Sequence, residues 1–284
     1  MAVAPDILRG KLLQLLALPE RVAPAQGQIV DGAVRLNNWP VTFLCPEGTG
    51  PFPAVLYCHA HGGEYALGRH ELTEGARWVS APFASDLLDQ GFAILAIDMP
   101  GFGARTGEGT ETALAKAALW RGQPLFGRMI GELRGALAWL MARDEIDATR
   151  VATLGVSMGA AHAIWLAALE PRVAACAHIC MLADIAPLID LGVHDRHGDY
   201  LTVPGLLNVA EFGDVAGMIA PRPQLAAFGA VDHLTPTAAR DSALGRLKGA
   251  YHSAATLDVM IDDSAGHQET PAMRRKVLEF LSLA

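Results

Sequence analysis

A short apolar run that ends in Gly-x-Ser-x-Gly places the strongest constraint on the fold of this chain. Residues 151–154 are Val-Ala-Thr-Leu, and Gly155-Val156-Ser157-Met158-Gly159 follows, with a run of small residues beyond it. This order predicts a strand, a sharp turn and a helix, with Ser157 at the apex of the turn. The two glycines leave room for the strand and the helix to approach each other closely. A serine hydroxyl held clear of a sheet in this way is typical of a nucleophile.

Strand and helix patterns alternate along most of the chain. Short apolar runs predict buried strands at residues 52–58, 92–97, 151–156, 173–179, 224–229 and 254–261. Helical patterns cover residues 78–90, 111–143 with a break at 122–124, 158–170, 236–247 and 270–283. Residues 27–37 and 39–46 predict two edge strands joined by a turn at Asn37-Asn38. The whole pattern predicts an α/β fold: a mostly parallel central sheet of about eight strands with helices on both faces.

One segment breaks this alternation. Residues 181–218 follow the sixth predicted strand and contain two prolines, five glycines and the polar cluster His194-Asp195-Arg196-His197. Their apolar residues, among them Leu206 and Leu207, are too many for a solvated loop, so we expect a partly helical, cap-like insertion over the mouth of a site. No linker or internal repeat is visible. We therefore expect one domain over residues 1–284, with an N-terminal helical segment at 1–24.

Charge and cysteine content restrict the possible partners and the compartment. The net charge is −8 and no basic run occurs, which argues against nucleic acid or an anionic membrane as a partner. No apolar run reaches the length of about 18 residues that a membrane span needs. The four cysteines form no CxxC pair, and the leucine-rich N-terminus is interrupted by charges, so we expect reduced thiols and a cytoplasmic protein. A monomer and a homo-oligomer both remain open.

The candidate partners of Ser157 follow the last two predicted strands. A serine needs an imidazole to take its proton, and the imidazole needs a carboxylate to orient it. Asp232 lies just after the strand at 224–229, and His267 just after the strand at 254–261, which gives the order Ser, Asp, His that is typical of such a fold. Asp184 is the alternative acid. The other histidines are better explained as buried structural or surface residues, although His194 and His197 could line a pocket.

Two backbone N–H groups should stabilise the oxyanion that forms when Ser157 attacks a carbonyl. One is expected from Met158, directly after the nucleophile, and the other from the loop after the strand at 52–58. In that loop we choose His61, with Gly62 as the alternative. His59-x-His61 also resembles half of a metal site, but no neighbouring residues complete a familiar ligand spacing, so we expect no metal and no cofactor.

These motifs together resemble the α/β-hydrolase superfamily, in its dienelactone hydrolase-like and acetyl xylan esterase-like branch. The resemblance runs from about residue 27 to the C-terminus and depends on residues 59–63, 98–103 and 155–159 with Asp232 and His267. Dienelactone hydrolases carry a cysteine nucleophile where this chain has Ser157. The related acetyl xylan esterases have a His-Gly-Tyr loop where this chain has His59-Ala60-His61. The resemblance implies ester hydrolysis through an acyl-serine.

The sequence therefore predicts a serine esterase for a small or medium ester, with a small molecule as its partner. A lactone, an amide or a carbon–carbon bond beside a carbonyl could be cleaved by the same three residues. A binding protein of the same fold without catalytic activity is the alternative of a different class.

Overall fold

The structure is a computed structural model that describes residues 5–251 and 256–283. Its strands form a single sheet in the order β1-β2-β3-β5-β4-β6-β7-β8-β9. The strands are β1 (Gly27–Val30), β2 (Ala33–Leu36), β3 (Trp39–Leu44), β4 (Phe52–Cys58), β5 (Ala93–Ile97), β6 (Ile146–Val156), β7 (Ala175–Ile179), β8 (Gln224–Gly229) and β9 (Leu257–Asp262).

The sheet is parallel except at one edge, as predicted. Strands β5, β4, β6, β7, β8 and β9 pair in parallel, whereas β1, β2 and β3 pair antiparallel, and β3 joins the sheet antiparallel to β5. The predicted strand at 27–37 is in fact two strands, because Asp31 and Gly32 form a tight turn with φ of 52° and 77°. Among residues 5–251 and 256–283 the sheet therefore has nine strands, and the 181–218 segment follows the seventh.

The helices cover both faces of the sheet, also as predicted. Alternate residues of β4 face opposite cores: Leu56 packs in one, and Val55 and Tyr57 in the other. The helices are α1 (Pro5–Leu15), α2 (Glu71–Glu74), α3 (Ala84–Asp89), α4 (Glu111–Trp120), α5 (Leu125–Met141), α6 (Met158–Leu169), α7 (Ile185–Asp190), α8 (Phe212–Gly217), α9 (Thr237–Ala250) and α10 (Pro271–Leu283).

Two helix predictions are wrong in extent. The helix expected at 78–90 begins only at Ala84, because Pro82 disfavours helical geometry before it and the Trp78 side chain is bound to the Glu71 carboxylate. The N-terminal segment expected to be helical to residue 24 ends at Leu15, and a residue with positive φ, Ala17, follows. The predicted beginning of the last strand at 254 lies outside the described residues, as does His252.

The 181–218 segment is partly helical and packs on the body of the protein. It contains α7, α8 and three short 3-10 turns at His194–Arg196, Asp199–Leu201 and Leu206–Asn208. Leu188 and Leu206 are buried, while Leu207 is exposed. Leu206 belongs to the same apolar core as Leu56. Most of the apolar content of the segment therefore holds it against the sheet and its helices.

Candidate active site

The turn at Ser157 has the strained geometry that the sequence predicts. Ser157 connects β6 to α6 with φ of 56° and ψ of −118°, and its N–H donates to the Ile179 carbonyl at 2.9 Å. A Cβ at position 155 would lie 2.2 Å from the Gly159 backbone, and one at position 159 would lie 1.9 Å from the Cys58 carbonyl oxygen. Both glycines are therefore required for the close approach of α6 to the strands. The strain persists because the surrounding packing fixes the turn.

The three side chains predicted to act together lie in one hydrogen-bonded row. The His267 Nε2 atom is 2.7 Å from the Ser157 Oγ, and the His267 Nδ1 atom is 2.7 Å from the Asp232 Oδ2. Strands β6, β8 and β9 bring them together, since parallel strands end at the same edge of the sheet. The contacts imply that Nδ1–H donates to Asp232, which leaves Nε2 free to accept from the serine hydroxyl.

Asp232 is held in place by more than the histidine. Its Oδ2 also accepts from the Thr235 hydroxyl at 2.6 Å, and its Oδ1 accepts from the Leu234 N–H at 2.8 Å. Burial by itself would raise the pKa of Asp232, but the hydrogen bond and charge of His267, with these further donors, hold that pKa below its ordinary value. The carboxylate is therefore suited to remain ionised beside the imidazole.

The alternative acid Asp184 and the other buried histidines do not contact the row formed by Ser157, His267 and Asp232. Asp184 is buried away from this row and accepts from the Gly213 N–H, the Ser242 hydroxyl and the Arg246 guanidinium. His162 and His178 are fully buried, and burial lowers the pKa of each to about 3, so both are neutral packing residues. These contacts give Asp184 a structural role.

The predicted oxyanion donors lie on two elements beside Ser157. Met158 is the first residue of α6, so its N–H has no acceptor within the helix. In the opposite loop the Ala60 N–H already donates to the two oxygens of Glu71 at 3.2 Å. The His61 N–H, in contrast, has no acceptor among residues 5–251 and 256–283. It is therefore the first amide of this loop that is available to a substrate oxygen.

The rings of His59 and His61 use all four of their nitrogens within the protein. The His59 Nδ1 donates to the Ala60 carbonyl at 2.9 Å, and its Nε2 accepts from the Met99 N–H at 3.1 Å. The His61 Nε2 is 2.5 Å from Glu111, and its Nδ1 accepts from the Gly63 N–H at 3.1 Å. In the described part of the chain, no group of three or more His, Cys, Asp or Glu side chains is placed to hold a metal ion.

Ser157 and His267 open into a cavity of about 740 Å³. One wall is the loop after β4 with Tyr65 and Trp78, and the other is formed by residues 196–200 of the 181–218 segment. The lining is chemically mixed, because it combines aromatic rings with charged and hydrogen-bonding groups. Of the two insertion histidines considered in the sequence, His197 lines the cavity, and its Nε2–H donates to the Leu234 carbonyl at 2.9 Å.

Leu206 and Leu207 do not line this cavity, so the expectation that the apolar residues of the segment cover the site is wrong for them. Leu206 is 7% exposed and packs in the core, and Leu207 is 44% exposed at the surface. Sequence reasoning also missed Tyr65, Trp78 and Glu111, which line the cavity. No local pattern marks them, because only tertiary packing brings them beside Ser157.

Comparisons with known proteins agree with this fold. A family model described as alpha/beta hydrolase fold matches residues 53–227. The protein YtaP of Bacillus subtilis (strain 168), which is named as a hydrolase, is 37% identical over 246 residues, which are 85% of this chain and 82% of that protein. This chain belongs to the α/β-hydrolase family. Esterase FrsA of Salmonella newport (strain SL254) is 28% identical to this hydrolase over 251 residues, which are 78% of this chain and 54% of the relative.

Solved structures of similar fold include several esterases. The acetyl xylan esterase from Paenibacillus sp. R4 superposes on this α/β hydrolase with a TM-score of 0.68 at 19% identity, over 98% of this chain and 93% of the other. The glucuronoyl esterase from Solibacter usitatus gives 0.66 at 13% identity, over 98% and 91%. At these identities the likeness is one of fold.

Within residues 5–251 and 256–283, no helix has the length and apolar character to cross a membrane.

Proposed function

We propose that this α/β hydrolase is a serine esterase that cleaves a small or medium carboxylic ester through an acyl-serine intermediate. The observation that carries the proposal is the row Ser157 Oγ, His267 and Asp232, with both contacts at 2.7 Å, at the apex of a strained turn. A serine hydroxyl is a weak nucleophile until a neighbouring base takes its proton. This row supplies that base and the carboxylate that orients it.

In the proposed reaction, Ser157 attacks the ester carbonyl while His267 takes its proton. The oxygen that becomes negative is stabilised by the backbone N–H groups of Met158 and His61. His267 then gives the proton to the leaving alcohol, and the acyl group stays on Ser157. Water repeats the cycle on the acyl-serine and releases the acid. Asp232 stabilises the imidazolium that exists between these steps. Besides the ester and water, these steps use only groups of the chain itself.

The shape of the cavity supports a substrate with hydrogen-bonding groups near the ester. Arg196 and Asp199 contribute to its lining on one side, and the aromatic rings of Tyr65 and Trp78 lie on the other wall. A long aliphatic chain would need a continuous apolar wall, which this lining lacks.

We also propose a cytoplasmic location, which the absence of any disulfide among the described residues supports, since all four cysteines are free.

A panel of p-nitrophenyl esters with graded acyl length tests the proposal, together with lactones and amides of matched size. We expect ester turnover by the wild-type protein, labelling of Ser157 by a fluorophosphonate, and loss of both in Ser157→Ala. Labelling without ester turnover, but with turnover of a lactone or amide, would move the proposal to that bond. If neither labelling nor turnover occurs in the folded protein, a binding function takes its place.

A further inference from the structure

A buried carboxylate outside the proposed triad joins the two walls of the cavity. Glu111 is the first residue of α4 and is only 5% exposed. The first turn of a helix is a favourable place for a carboxylate, because the unpaired N–H groups there carry partial positive charge. The preceding Thr110 caps the helix by accepting from the Ala113 N–H at 3.3 Å. Its position on a capped helix gives this carboxylate a fixed place beside the active site.

The two oxygens of Glu111 bind different walls. Its Oε2 is 2.5 Å from the His61 Nε2 in the loop after β4, and its Oε1 accepts from the Tyr200 N–H at 3.1 Å in the 181–218 segment. Gly198 allows this close approach, since a Cβ there would lie 2.4 Å from the Glu111 Oε1. One carboxylate thus fixes the distance between the two sides of the cavity.

The contacts of His61 show what this carboxylate controls. Because the His61 Nδ1 accepts from the Gly63 N–H, its Nε2 carries the hydrogen and donates to Glu111. The ring is edge-on to Tyr65, with centroids 5.0 Å apart, and stacked on Tyr200 at 5.9 Å. Because both ring nitrogens are hydrogen-bonded within the protein and the ring is packed between two tyrosines, the His61 side chain is fixed and orients its own backbone.

The peptide between Ala60 and His61 is held from both ends by acidic side chains. Glu71 binds the Ala60 N–H, and Glu111 binds the His61 side chain. The N–H of this same peptide belongs to His61 and is the proposed oxyanion donor. Its direction therefore depends on two buried acids that do not touch the reacting atoms, together with His59, whose Nδ1 donates to the carbonyl of the same peptide at 2.9 Å.

We propose that Glu111 is a positioning residue that aims the His61 N–H at the oxyanion and couples that aim to the 198–200 wall of the cavity. This inference rests on the proposed serine-esterase function. A donor aimed at the transition state lowers the barrier more than it improves substrate binding, so its loss should reduce kcat rather than raise KM. Removing a whole oxyanion donor costs about 10²- to 10³-fold in kcat, and misaiming one should cost about 10- to 100-fold.

Two variants and a matched control test this proposal. Glu111→Ala removes both contacts, and Glu111→Gln is isosteric but offers a single acceptor oxygen, so it can satisfy only one of the two donors. Glu170→Gln is the control, because Glu170 is also 5% exposed and binds Arg134 and Arg172 but does not line the cavity. Active sites are counted by fluorophosphonate titration, and kcat and KM are measured per active site. The inhibition constant of a trifluoromethyl ketone, which forms an oxyanion on the serine, is measured alongside.

We expect Glu111→Ala to lower kcat about 10- to 100-fold and to weaken the trifluoromethyl ketone by a similar factor, with KM changed less than about threefold. Glu111→Gln should show a smaller loss in the same direction, and it decides the matter if the alanine variant does not fold. The control should keep the wild-type kcat. An unchanged kcat in both Glu111 variants, a loss confined to KM, or an equal loss in Glu170→Gln would overturn the proposal. An inactive, unlabelled wild-type protein would instead overturn the serine-esterase function and this inference with it.

Discussion

The backbone strain at Ser157 predicts that the proposed nucleophile reduces the stability of the protein. A residue with a side chain pays for φ of 56° with ψ of −118°, whereas glycine adopts this conformation freely. Ser157→Gly and Ser157→Ala both remove the hydroxyl and its contact with His267. They differ in that alanine keeps the strain and glycine releases it. Comparison of the two variants therefore isolates the backbone contribution.

The size of the effect follows from two opposing contributions. Residues in sparsely populated backbone regions carry about 1–3 kcal/mol of strain. Glycine in place of alanine costs about 0.4–1 kcal/mol, because it adds freedom to the unfolded chain. Ser157→Gly should therefore have a free energy of unfolding about 1 kcal/mol higher than Ser157→Ala. For a chain of this length, the corresponding difference in Tm is about 2 °C.

Thermal and urea unfolding of the purified variants measure this difference. The matched control is Ser242, which lies inside α9, where glycine should be about 1 kcal/mol less stable than alanine. Both Ser157 variants should be inactive, with a loss of kcat on the order of 10⁶-fold. A Ser157→Gly variant that is no more stable than Ser157→Ala would refute the strain argument. Substantial activity in either variant would remove Ser157 as the nucleophile.

Three further predictions follow from the contacts of individual residues. Asp232→Asn should lower kcat by roughly 10⁴-fold, because an amide favours the wrong tautomer of the histidine, whereas Asp184→Asn, at a buried site away from the cavity, should leave kcat per active site unchanged. Leu206→Ala should cost about 2–5 kcal/mol in urea unfolding, as a buried leucine does, and leave the ranking of kcat/KM across an ester series unchanged; a changed ranking without lost stability would contradict its core position. Burial raises the pKa of Glu71 to about 7, so the folded state favours the neutral form of this side chain. The contribution of Glu71 to the free energy of unfolding is therefore fully present below about pH 4 and is lost as pH rises through 7. Relative to wild type, Glu71→Gln should therefore gain about 2.5 kcal/mol in free energy of unfolding between pH 5 and pH 8, and parallel pH profiles of the two proteins would disprove that shift.

Much of the fold was predictable, because it is encoded over short stretches. The apolar runs that form β4, β5, β7 and β8 are recognisable alone, since a strand covered on both faces has no polar side. The errors fall where distant contacts override local pattern. Residues 78–83 have a helical pattern but instead place Trp78 against the Glu71 carboxylate and bring Ser80 to Glu269, which is 189 residues away in the chain.

The predicted site shows the same division. Strand ends in a parallel sheet are neighbours whatever lies between them, so the order of Ser157, Asp232 and His267 was enough to bring their side chains together. The walls of the cavity follow no such rule. Leu206 was expected there because it is apolar, but burial in the core removes more of its apolar surface from water than a place in the cavity wall would. Charged residues at 196 and 199 line the cavity instead.

By itself, the sequence determined the α/β architecture and the turn that presents Ser157, because glycine and β-branched residues act through the backbone of their own segment. Only the tertiary structure decided how the loop that carries the proposed oxyanion donor His61 is braced. The contact of His61 with Glu111 spans 50 residues, and that of Tyr200 with Glu111 spans 89. No sequence periodicity connects positions so far apart. The hydrogen-bond partners of Glu111 depend on which buried donors remain unpaired once the helices and loops have packed together.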